Sequence, residues 1–229
     1  MLNARTVRSI VDKYRTRRQS NKVLHGHPSP VFWLDKHVAM SDVMDQRERA
    51  AAKVRKRLNL YVGTPYCLPT EPDRCGFCLF PSEVYRNRQQ LDVYLDYLRR
   101  EGELFRPHLA GAELASIYFG GGTSNLYKAD QYVVLMDIVR NVFEIPPHIE
   151  VTLEGIPQTF SHEKLQAMRD CGINRISMGV QVLDDELIKM SGRQQKAEQV
   201  FRTIESCQNL GLTVSVDLIF GWPSQTIDH

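Results

Sequence analysis

From Leu58 onward, short apolar runs alternate with longer stretches in which apolar residues recur every three or four positions. A short run bounded by turn residues predicts a β-strand, and the longer spacing predicts an amphipathic helix. The predicted strands are Leu58–Gly63, Leu114–Phe119, Ile149–Glu154, Arg175–Val180 and Thr213–Phe220. Strands that alternate with helices predict an α/β fold, built from βα units around a parallel sheet.

The stretches between these strands carry apolar stripes that predict four helices. The stripes are Leu91, Tyr94, Leu95 and Leu98; Tyr132, Val133, Met136 and Val139; Leu165 and Met168; and Val200, Ile204 and Cys207. Ser161 and Asp184 suit N-cap positions, because a side-chain oxygen there can accept a free N–H group of the first helical turn. Gly172 and Gly211 fall where helices commonly end in a left-handed residue.

The last residues of the chain follow the fifth predicted strand directly. His229 comes before any helix that would cover this strand, and a parallel sheet is normally buried on both faces. We therefore expect residues 58–229 to form a core domain that is truncated after its fifth strand.

Charge separates the first part of the chain from this core. Residues 1–57 hold 14 Lys and Arg against 5 Asp and Glu, whereas residues 58–229 hold 15 against 22. We predict that residues 1–57 form a basic N-terminal extension. Its charge suits a solvated helix face or a surface that binds an anionic substrate or nucleic acid. We favour the first interpretation and do not expect a nucleic-acid partner.

Composition and cysteine usage point to a protein of a reducing compartment. The hydrophobic content of 42% and the charged content of 24% are ordinary for a globular protein. No apolar run approaches the roughly 20 residues that a membrane span needs. The Arg-rich first residues only faintly resemble an organellar transit peptide. An odd number of cysteines argues against a disulfide framework and favours the cytoplasm. Cys171 and Cys207 are predicted to be packed thiols.

Cys67, Cys75 and Cys78 lie in one loop directly after the first predicted strand. Thiolates bind both zinc and the iron of iron–sulfur clusters. Three thiolates would leave one iron of a four-iron cluster open to a small ligand, whereas zinc would need a fourth ligand such as His108 or Cys171. The cysteines alone support a cluster and a zinc site equally.

Polar and glycine residues at the ends of the other strands indicate a ligand site. Gly120-Gly-Gly-Thr123 follows the second strand, Glu154 and Gln181 end the third and fourth, and Asp217 lies inside the fifth. Parallel-sheet proteins bind ligands at the carboxyl ends of their strands. A tight turn is the simpler interpretation of the glycines, and a structural hydrogen bond that of each polar residue, but their shared edge favours a ligand.

Five motifs occur in this order along the chain: Tyr61-Val-Gly-Thr-Pro-Tyr-Cys67, Cys75-Gly-Phe-Cys78, Tyr118-Phe-Gly-Gly-Gly-Thr123, Arg175-Ile-Ser-Met-Gly-Val-Gln181 and Asp217-Leu-Ile-Phe-Gly-Trp-Pro223. Taken together, they resemble the radical S-adenosylmethionine (radical SAM) superfamily, in particular oxygen-independent coproporphyrinogen III oxidase and its relatives. The resemblance implies a partial (βα) barrel with a [4Fe–4S] cluster. It also implies reductive cleavage of S-adenosylmethionine to a 5′-deoxyadenosyl radical, with an electron donor such as flavodoxin or ferredoxin.

The resemblance also implies roles for individual residues. Cys67, Cys75 and Cys78 match the cluster ligands, and Tyr61 matches a tyrosine that leans on the cluster and the sulfonium region. The matches to cofactor-binding residues are Phe77 and Ile219 near the adenine, Gly121, Gly122 and Thr123 at the methionine amino group, and Glu154, Gln181, Arg193 and Asp217 around the ribose and the methionine carboxylate.

Three departures from the relatives leave the reaction open. Seven residues separate Cys67 from Cys75, a longer gap than is usual in the relatives. Gly63 and Phe80 stand where the coproporphyrinogen-oxidizing members have a histidine and a further cysteine. We predict a radical SAM enzyme acting on an organic substrate, with a tetrapyrrole as the leading class. A radical C-methyltransferase and a non-catalytic haem-binding chaperone are the alternatives.

Overall fold

A computed structural model of the chain describes residues 38–51, 57–71, 75–109 and 112–226. Of the two compact units into which the chain divides, Met1–Val43 and Met44–His229, the first contributes only residues 38–43 to this description. The fold below is that of the second unit. Predictions for residues 1–37 lie outside the described residues, and the predicted boundary between the extension and the core stays a prediction.

All five predicted strands and all four predicted helices are present. The helices are α1 Met40–Ala51, α2 Arg88–Phe105, α3 Ala129–Val142, α4 His162–Asp170, α5 Asp185–Met190 and α6 Ala197–Asn209. The strands are β1 Arg57–Thr64, β2 Tyr66–Cys67, β3 Glu83–Val84, β4 Glu113–Gly121, β5 Glu150–Gly155, β6 Arg175–Gln181 and β7 Thr213–Leu218. Short 3-10 helices lie at Arg106–Leu109, Ser124–Leu126 and Pro157–Thr159. Sequence analysis did not predict the pair β2 and β3, because two residues carry no detectable period.

The main sheet has five strands in the order β1-β4-β5-β6-β7. Every neighbouring pair is parallel, which confirms the predicted sheet. Within the described residues the sheet is open, with β1 and β7 at its edges. None of the helices in the described part of the chain combines the length and the apolar character needed to cross a bilayer.

The two faces of this sheet differ in the described part of the chain. One face packs against the helices and forms the core; it includes Leu114, Ile117, Phe119, Val151, Leu153 and Ile176. The alternate positions along the strands form a polar inner face: Asn59, Tyr61, Ser116, Tyr118, Thr152, Glu154, Arg175, Ser177, Ser215 and Asp217. Alternation with a period of two is typical of a sheet that is apolar on one side only.

The predicted helix boundaries are confirmed by their caps. The Ser161 side chain accepts a first-turn N–H of α4, and the Asp184 side chain accepts two of α5. Gly172 and Gly211 follow helix ends with φ of 106° and 72°, which glycine adopts without strain. One residue of the predicted apolar stripes does not face the core. Val133 is 45% exposed, because its neighbour Tyr132 occupies the core-facing position of α3.

Candidate functional site

The glycine loop after β4 lies against the first cluster cysteine. The N–H of Gly122 donates to the carbonyl of Thr64 at 2.7 Å, and the N–H of Thr123 donates to that of Tyr66 at 2.8 Å. A Cβ at Gly122 would lie 2.5 Å from the Tyr66 oxygen and 2.9 Å from the Cys67 sulfur. Only glycine therefore fits here, and the loop forms a cradle beside the Cys67 thiol.

The second half of the cysteine loop is held by the turn after α5. The N–H of Gly76 donates to the carbonyl of Ser191 at 3.0 Å. The Arg193 side chain places its Nε 3.4 Å from the Cys75 sulfur and its guanidinium carbon 5.2 Å from the centre of the Phe77 ring. The cationic guanidinium is therefore within hydrogen-bond distance of this sulfur. Arg193 thus joins the cysteine loop to the rest of the site.

Arg193 is itself fixed by β6, and the cysteine loop by its own backbone. The Nη1 of Arg193 donates to the carbonyl of Gly179 at 2.7 Å. Within the loop, the N–H of Cys78 donates to the carbonyl of Cys75 at 2.9 Å. Residues 72–74 of the long gap lie outside the described residues.

The described residues do not gather the ligands that a zinc ion would need. Among them, no group of three or more His, Cys, Asp or Glu side chains could hold a metal ion. The candidate fourth ligands have other partners: His108 Nδ1 lies 2.6 Å from Glu48 Oε1, and the Cys171 thiol donates to the carbonyl of Met168 at 3.2 Å. Within the described residues, neither candidate therefore joins the cysteines as a fourth zinc ligand.

A four-iron cluster needs no fourth protein ligand when one iron is left to a small molecule, so the same three thiolates suffice for it. Cys67, Cys75 and Cys78 are free and partly exposed. The glycine cradle lies beside Cys67 and the cationic Arg193 guanidinium beside Cys75, and these surroundings fit an anionic cluster held by the three thiolates. These three residues are therefore the candidate cluster ligands.

The remaining two cysteines are packed thiols, as predicted. Cys171 is 5% exposed and Cys207 is fully buried. Burial raises the pKa of the Cys171 thiol and raises that of Cys207 to about 11. A protonated, buried thiol is a poor metal ligand.

Two tyrosines and a carboxylate meet on the inner face of the sheet beside Gly120. The rings of Tyr61 and Tyr118 stack with their centres 5.8 Å apart and their planes 10° apart. The Tyr118 hydroxyl donates to Glu154 Oε2 at 3.2 Å. A Cβ at Gly120 would lie 2.8 Å from Glu154 Oε2 and 3.0 Å from the Tyr61 oxygen. Glycine at this position allows the three side chains to converge.

The surroundings of Glu154 and Tyr118 raise the pKa values of both side chains. Burial, reinforced by the nearby Asp217 carboxylate, raises the pKa of Glu154, whereas the Tyr118 hydrogen bond and Arg193 lower it. Burial first, and Glu154 second, raise the pKa of Tyr118 to about 12. The Tyr118 hydroxyl therefore stays protonated and donates its hydrogen bond, and Glu154 takes up a proton more readily than an exposed glutamate.

The ends of β6 and β7 bring together the remaining predicted residues. The N–H of Ile219 donates to the carbonyl of Gln181 at 2.7 Å. Gln181 has φ of 69°, a left-handed conformation that is uncommon outside glycine and is often found at functional sites. The Ser177 hydroxyl lies 3.5 Å from Asp217 Oδ2, at the limit of a hydrogen bond. These residues share the sheet edge that carries Glu154.

The structure thus places every predicted site residue at the carboxyl edge of the sheet or in the adjoining loops. Sequence analysis assigned no role to the side chains of Tyr118, Ser177 and Trp222. The strand pattern contained the signal for two of them, because in the sheet register Tyr118 lies opposite Tyr61 and Ser177 lies opposite Glu154. Trp222 follows β7 in a turn and has no such periodic signal.

Two relatives with assigned roles resemble this chain. The heme chaperone HemW of Bacillus subtilis (strain 168) is 32% identical over 171 residues, which cover 74% of this chain and 44% of the relative. The oxygen-independent coproporphyrinogen III oxidase of Escherichia coli (strain K12) is 33% identical over 180 residues, which cover 78% of this chain and 38% of the relative. The chain therefore spans less than half the length of these relatives.

The fold and the family agree with the resemblance of the motifs. The solved structure of coproporphyrinogen III oxidase (HemN) from Escherichia coli, a radical SAM enzyme, superposes with a TM-score of 0.76 at 29% identity, over 90% of this chain and 46% of that one. The sequence model of the radical SAM superfamily matches residues 61–229. The chain belongs to the radical SAM superfamily, whose members use a [4Fe–4S] cluster and S-adenosylmethionine.

Proposed function

We propose that the protein is a radical SAM enzyme that reductively cleaves S-adenosylmethionine for chemistry on an organic substrate. The convergence of Glu154, Asp217 and Arg193 beside a loop with three free cysteines carries this proposal. When bound, the cluster supplies the electron that breaks the sulfonium bond and yields the 5′-deoxyadenosyl radical. The residues of this chain bind and orient the reactants.

Cys67, Cys75 and Cys78 would hold the cluster. The Arg193 guanidinium, 3.4 Å from the Cys75 sulfur, would stabilise negative charge on that ligand. The narrow cradle at Gly122 fixes the backbone beside Cys67. With only three protein thiolates, one iron would remain open to the amino and carboxylate groups of a methionine.

The loop and strand ends supply suitable partners for S-adenosylmethionine. The backbone carbonyls of Gly121, Gly122 and Thr123 would receive the methionine amino group, because the N–H groups of Gly122 and Thr123 are already bonded to Thr64 and Tyr66. The carboxylates of Glu154 and Asp217 suit ribose hydroxyls and the cationic amino group. Gln181 and Arg193, a polar amide and a cation, suit the ribose and the methionine carboxylate.

Two further residues complete the proposed cofactor site. Tyr61 is 57% exposed and stacks its ring on that of Tyr118. We place the sulfonium region beside it, in the catalytic role that the family resemblance gives to Tyr61. Phe77 and Ile219 provide apolar surface for the adenine.

A tetrapyrrole is the substrate class that the similarity to coproporphyrinogen III oxidase favours. Gly63 and Phe80 replace residues of the oxidizing relatives, so the reaction on this substrate differs from theirs or uses other groups. The electron would come from a donor such as flavodoxin or ferredoxin. Free thiol ligands suit a reducing compartment such as the cytoplasm.

A non-catalytic haem carrier is the second candidate function. The observation in its favour is the similarity to the heme chaperone HemW, which is as close as that to the oxidase. In such a protein the cluster would serve binding rather than turnover, and haem would bind stoichiometrically.

Anaerobic assay of the intact protein tests the proposal. The protein is reconstituted with iron and sulfide, reduced with dithionite and given S-adenosylmethionine, and 5′-deoxyadenosine is measured by mass spectrometry. The product should form in the wild type and in Cys171→Ala, whose thiol lies away from the site, but not in Cys75→Ala. A fully loaded and reduced cluster that forms no product while the protein binds one haem would overturn the catalytic proposal and favour the carrier.

A further inference from the structure

The indole of Trp222 contacts three separate parts of the candidate site. Its ring meets that of Phe77 edge to face, with centres 5.7 Å apart and planes at 85°. Its Nε1–H donates to the carbonyl of Ile219 at 2.8 Å. The same side chain packs against a small buried apolar cluster, formed by Val182, Leu187 and Ile188. Trp222 therefore connects the cysteine loop to the end of β7.

A closed turn fixes the backbone that carries this side chain. The Gln225 Oε1 accepts hydrogen bonds from the N–H groups of Gly221 at 2.7 Å and Trp222 at 3.1 Å. The Gln225 N–H donates back to the carbonyl of Trp222 at 3.0 Å. Gly221, with φ of 85°, allows the chain to enter the turn without strain. Both this backbone turn and the side-chain contacts therefore fix the position of the indole.

The two residues that Trp222 touches are also anchored from other directions. The guanidinium of Arg193 lies 5.2 Å from the centre of the Phe77 ring. The N–H of Ile219 is bonded to the carbonyl of Gln181 at 2.7 Å. Phe77 and Ile219 nevertheless belong to segments far apart in the chain, so their separation depends on a side chain that contacts both.

We propose that Trp222 is a positioning residue that sets the spacing of Phe77 and Ile219, and so shapes the slot for the adenine of S-adenosylmethionine. This inference rests on the proposed function, because it assumes that Phe77 and Ile219 receive the adenine. A planar base needs walls at a fixed separation, since stacking and dispersion contacts weaken with a gap of less than 1 Å. Trp222 acts on the adenine only through these two walls.

Measuring the affinities of two ligands for the cluster-loaded intact protein distinguishes an effect on the adenine slot from an effect on the rest of the site. The probes are 5′-deoxyadenosine, which needs the slot, and methionine, which does not. Trp222→Ala should weaken 5′-deoxyadenosine binding about tenfold, the size of a lost aromatic pair, and leave methionine binding and iron content unchanged. Trp222→Phe keeps a ring but no N–H donor, so its loss should be smaller. Trp33→Phe, at the chain's other tryptophan, is the matched control.

A second measurement uses the wild-type Trp222 itself. In Trp33→Phe, Trp222 is the remaining indole, so its fluorescence should change when 5′-deoxyadenosine is added and not when methionine is added. Unchanged 5′-deoxyadenosine affinity in Trp222→Ala would overturn the inference. Equal loss of both ligands, or loss of iron, in both Trp222 variants would also overturn it, because it would indicate general disruption of the loop. If the wild type bound no 5′-deoxyadenosine at all, the proposed function would fail, and the inference with it.

Discussion

A methyl group added at Gly155 would collide with the side chain that joins the glycine loop to the end of β5. That side chain is Asn125, whose Nδ2 donates to the carbonyl of Ile156 at 2.9 Å and whose Oδ1 accepts the Ile156 N–H at 3.1 Å. A Cβ at Gly155 would lie 2.3 Å from Asn125 Cγ and 2.6 Å from both Oδ1 and Nδ2. The Gly155→Ala variant must therefore displace the amide.

The cost of this displacement follows from the contacts that are lost. Two hydrogen bonds are worth about 0.5 to 1.5 kcal/mol each, and forcing an extra methyl group into a packed site costs about 1 to 3 kcal/mol. Since the amide can relax once it has moved, we expect Gly155→Ala to lower the free energy of unfolding by about 2 to 4 kcal/mol. The backbone at Gly155 does not have the positive φ that would add strain.

A double-mutant cycle, measured by urea denaturation of the intact protein, tests this explanation. Asn125→Ala removes the two hydrogen bonds and also the obstacle. In that background, Gly155→Ala should cost less than about 0.5 kcal/mol, because its added methyl group then has space. If Gly155→Ala costs the same with and without the Asn125 side chain, the collision is not the cause and the reasoning is wrong.

Three further variants test the electrostatics and packing of the same region. Tyr118→Phe removes the hydrogen bond that lowers the pKa of Glu154, so S-adenosylmethionine affinity, measured by calorimetry as the pH is lowered, should fall at a higher pH than in the wild type; an unchanged profile would contradict this role. Gly122→Ala would place its Cβ 2.5 Å from the Tyr66 oxygen and should reduce the iron bound per chain after reconstitution, whereas full iron content would show that the loop adapts. Burial lowers the pKa of Lys164 to about 8 from 10.5; between these values the unfolded chain binds the proton and the folded chain does not, so stability should rise with pH across that window, and Lys164→Met should lose this rise in urea denaturation.

The five strands of the main sheet were predictable from the sequence because their patterns are local. Each of the five runs alternates or is continuously apolar over six to nine residues in the final fold, long enough for the period to show. The convergence of Glu154 and Asp217 on one edge also followed, because the carboxyl ends of parallel strands lie together.

The contacts that shape the site were not predictable, since they join segments that are distant in the chain. Arg193 reaches Cys75 across 118 positions, and no local pattern encodes that approach. The Asn125 bridge to Ile156 and the edge-to-face contact of Trp222 depend in the same way on how loops pack. The polar inner face could have been read from the alternation in β6, where Arg175 and Ser177 interrupt apolar residues.

Near the first residues of β5 and β6, the polar side chains of that inner face hydrogen-bond to one another. Arg175 donates to Glu150 at 3.3 Å and to Thr152 at 3.2 Å through Nη1, and to Ser215 at 2.9 Å through Nη2. All three partners lie on the strands next to Arg175, so this guanidinium links β6 to β5 and β7. Polar groups that pair with one another in this way hold the sheet together and leave little capacity for a ligand.

The other end of the face is different, and this difference supports the proposed ligand site. A carboxylate can accept about four hydrogen bonds, whereas the Tyr118 hydroxyl supplies one to Glu154, and the Ser177 hydroxyl lies at the limit of bonding to Asp217. Burial first, and the nearby Asp217 carboxylate second, make it costly for Glu154 to carry its charge, as its raised pKa reflects. Hydroxyl and amino donors from a ligand would offset that cost. The same polar face that stabilises the sheet at one end therefore offers free acceptors to the proposed ligand at the other.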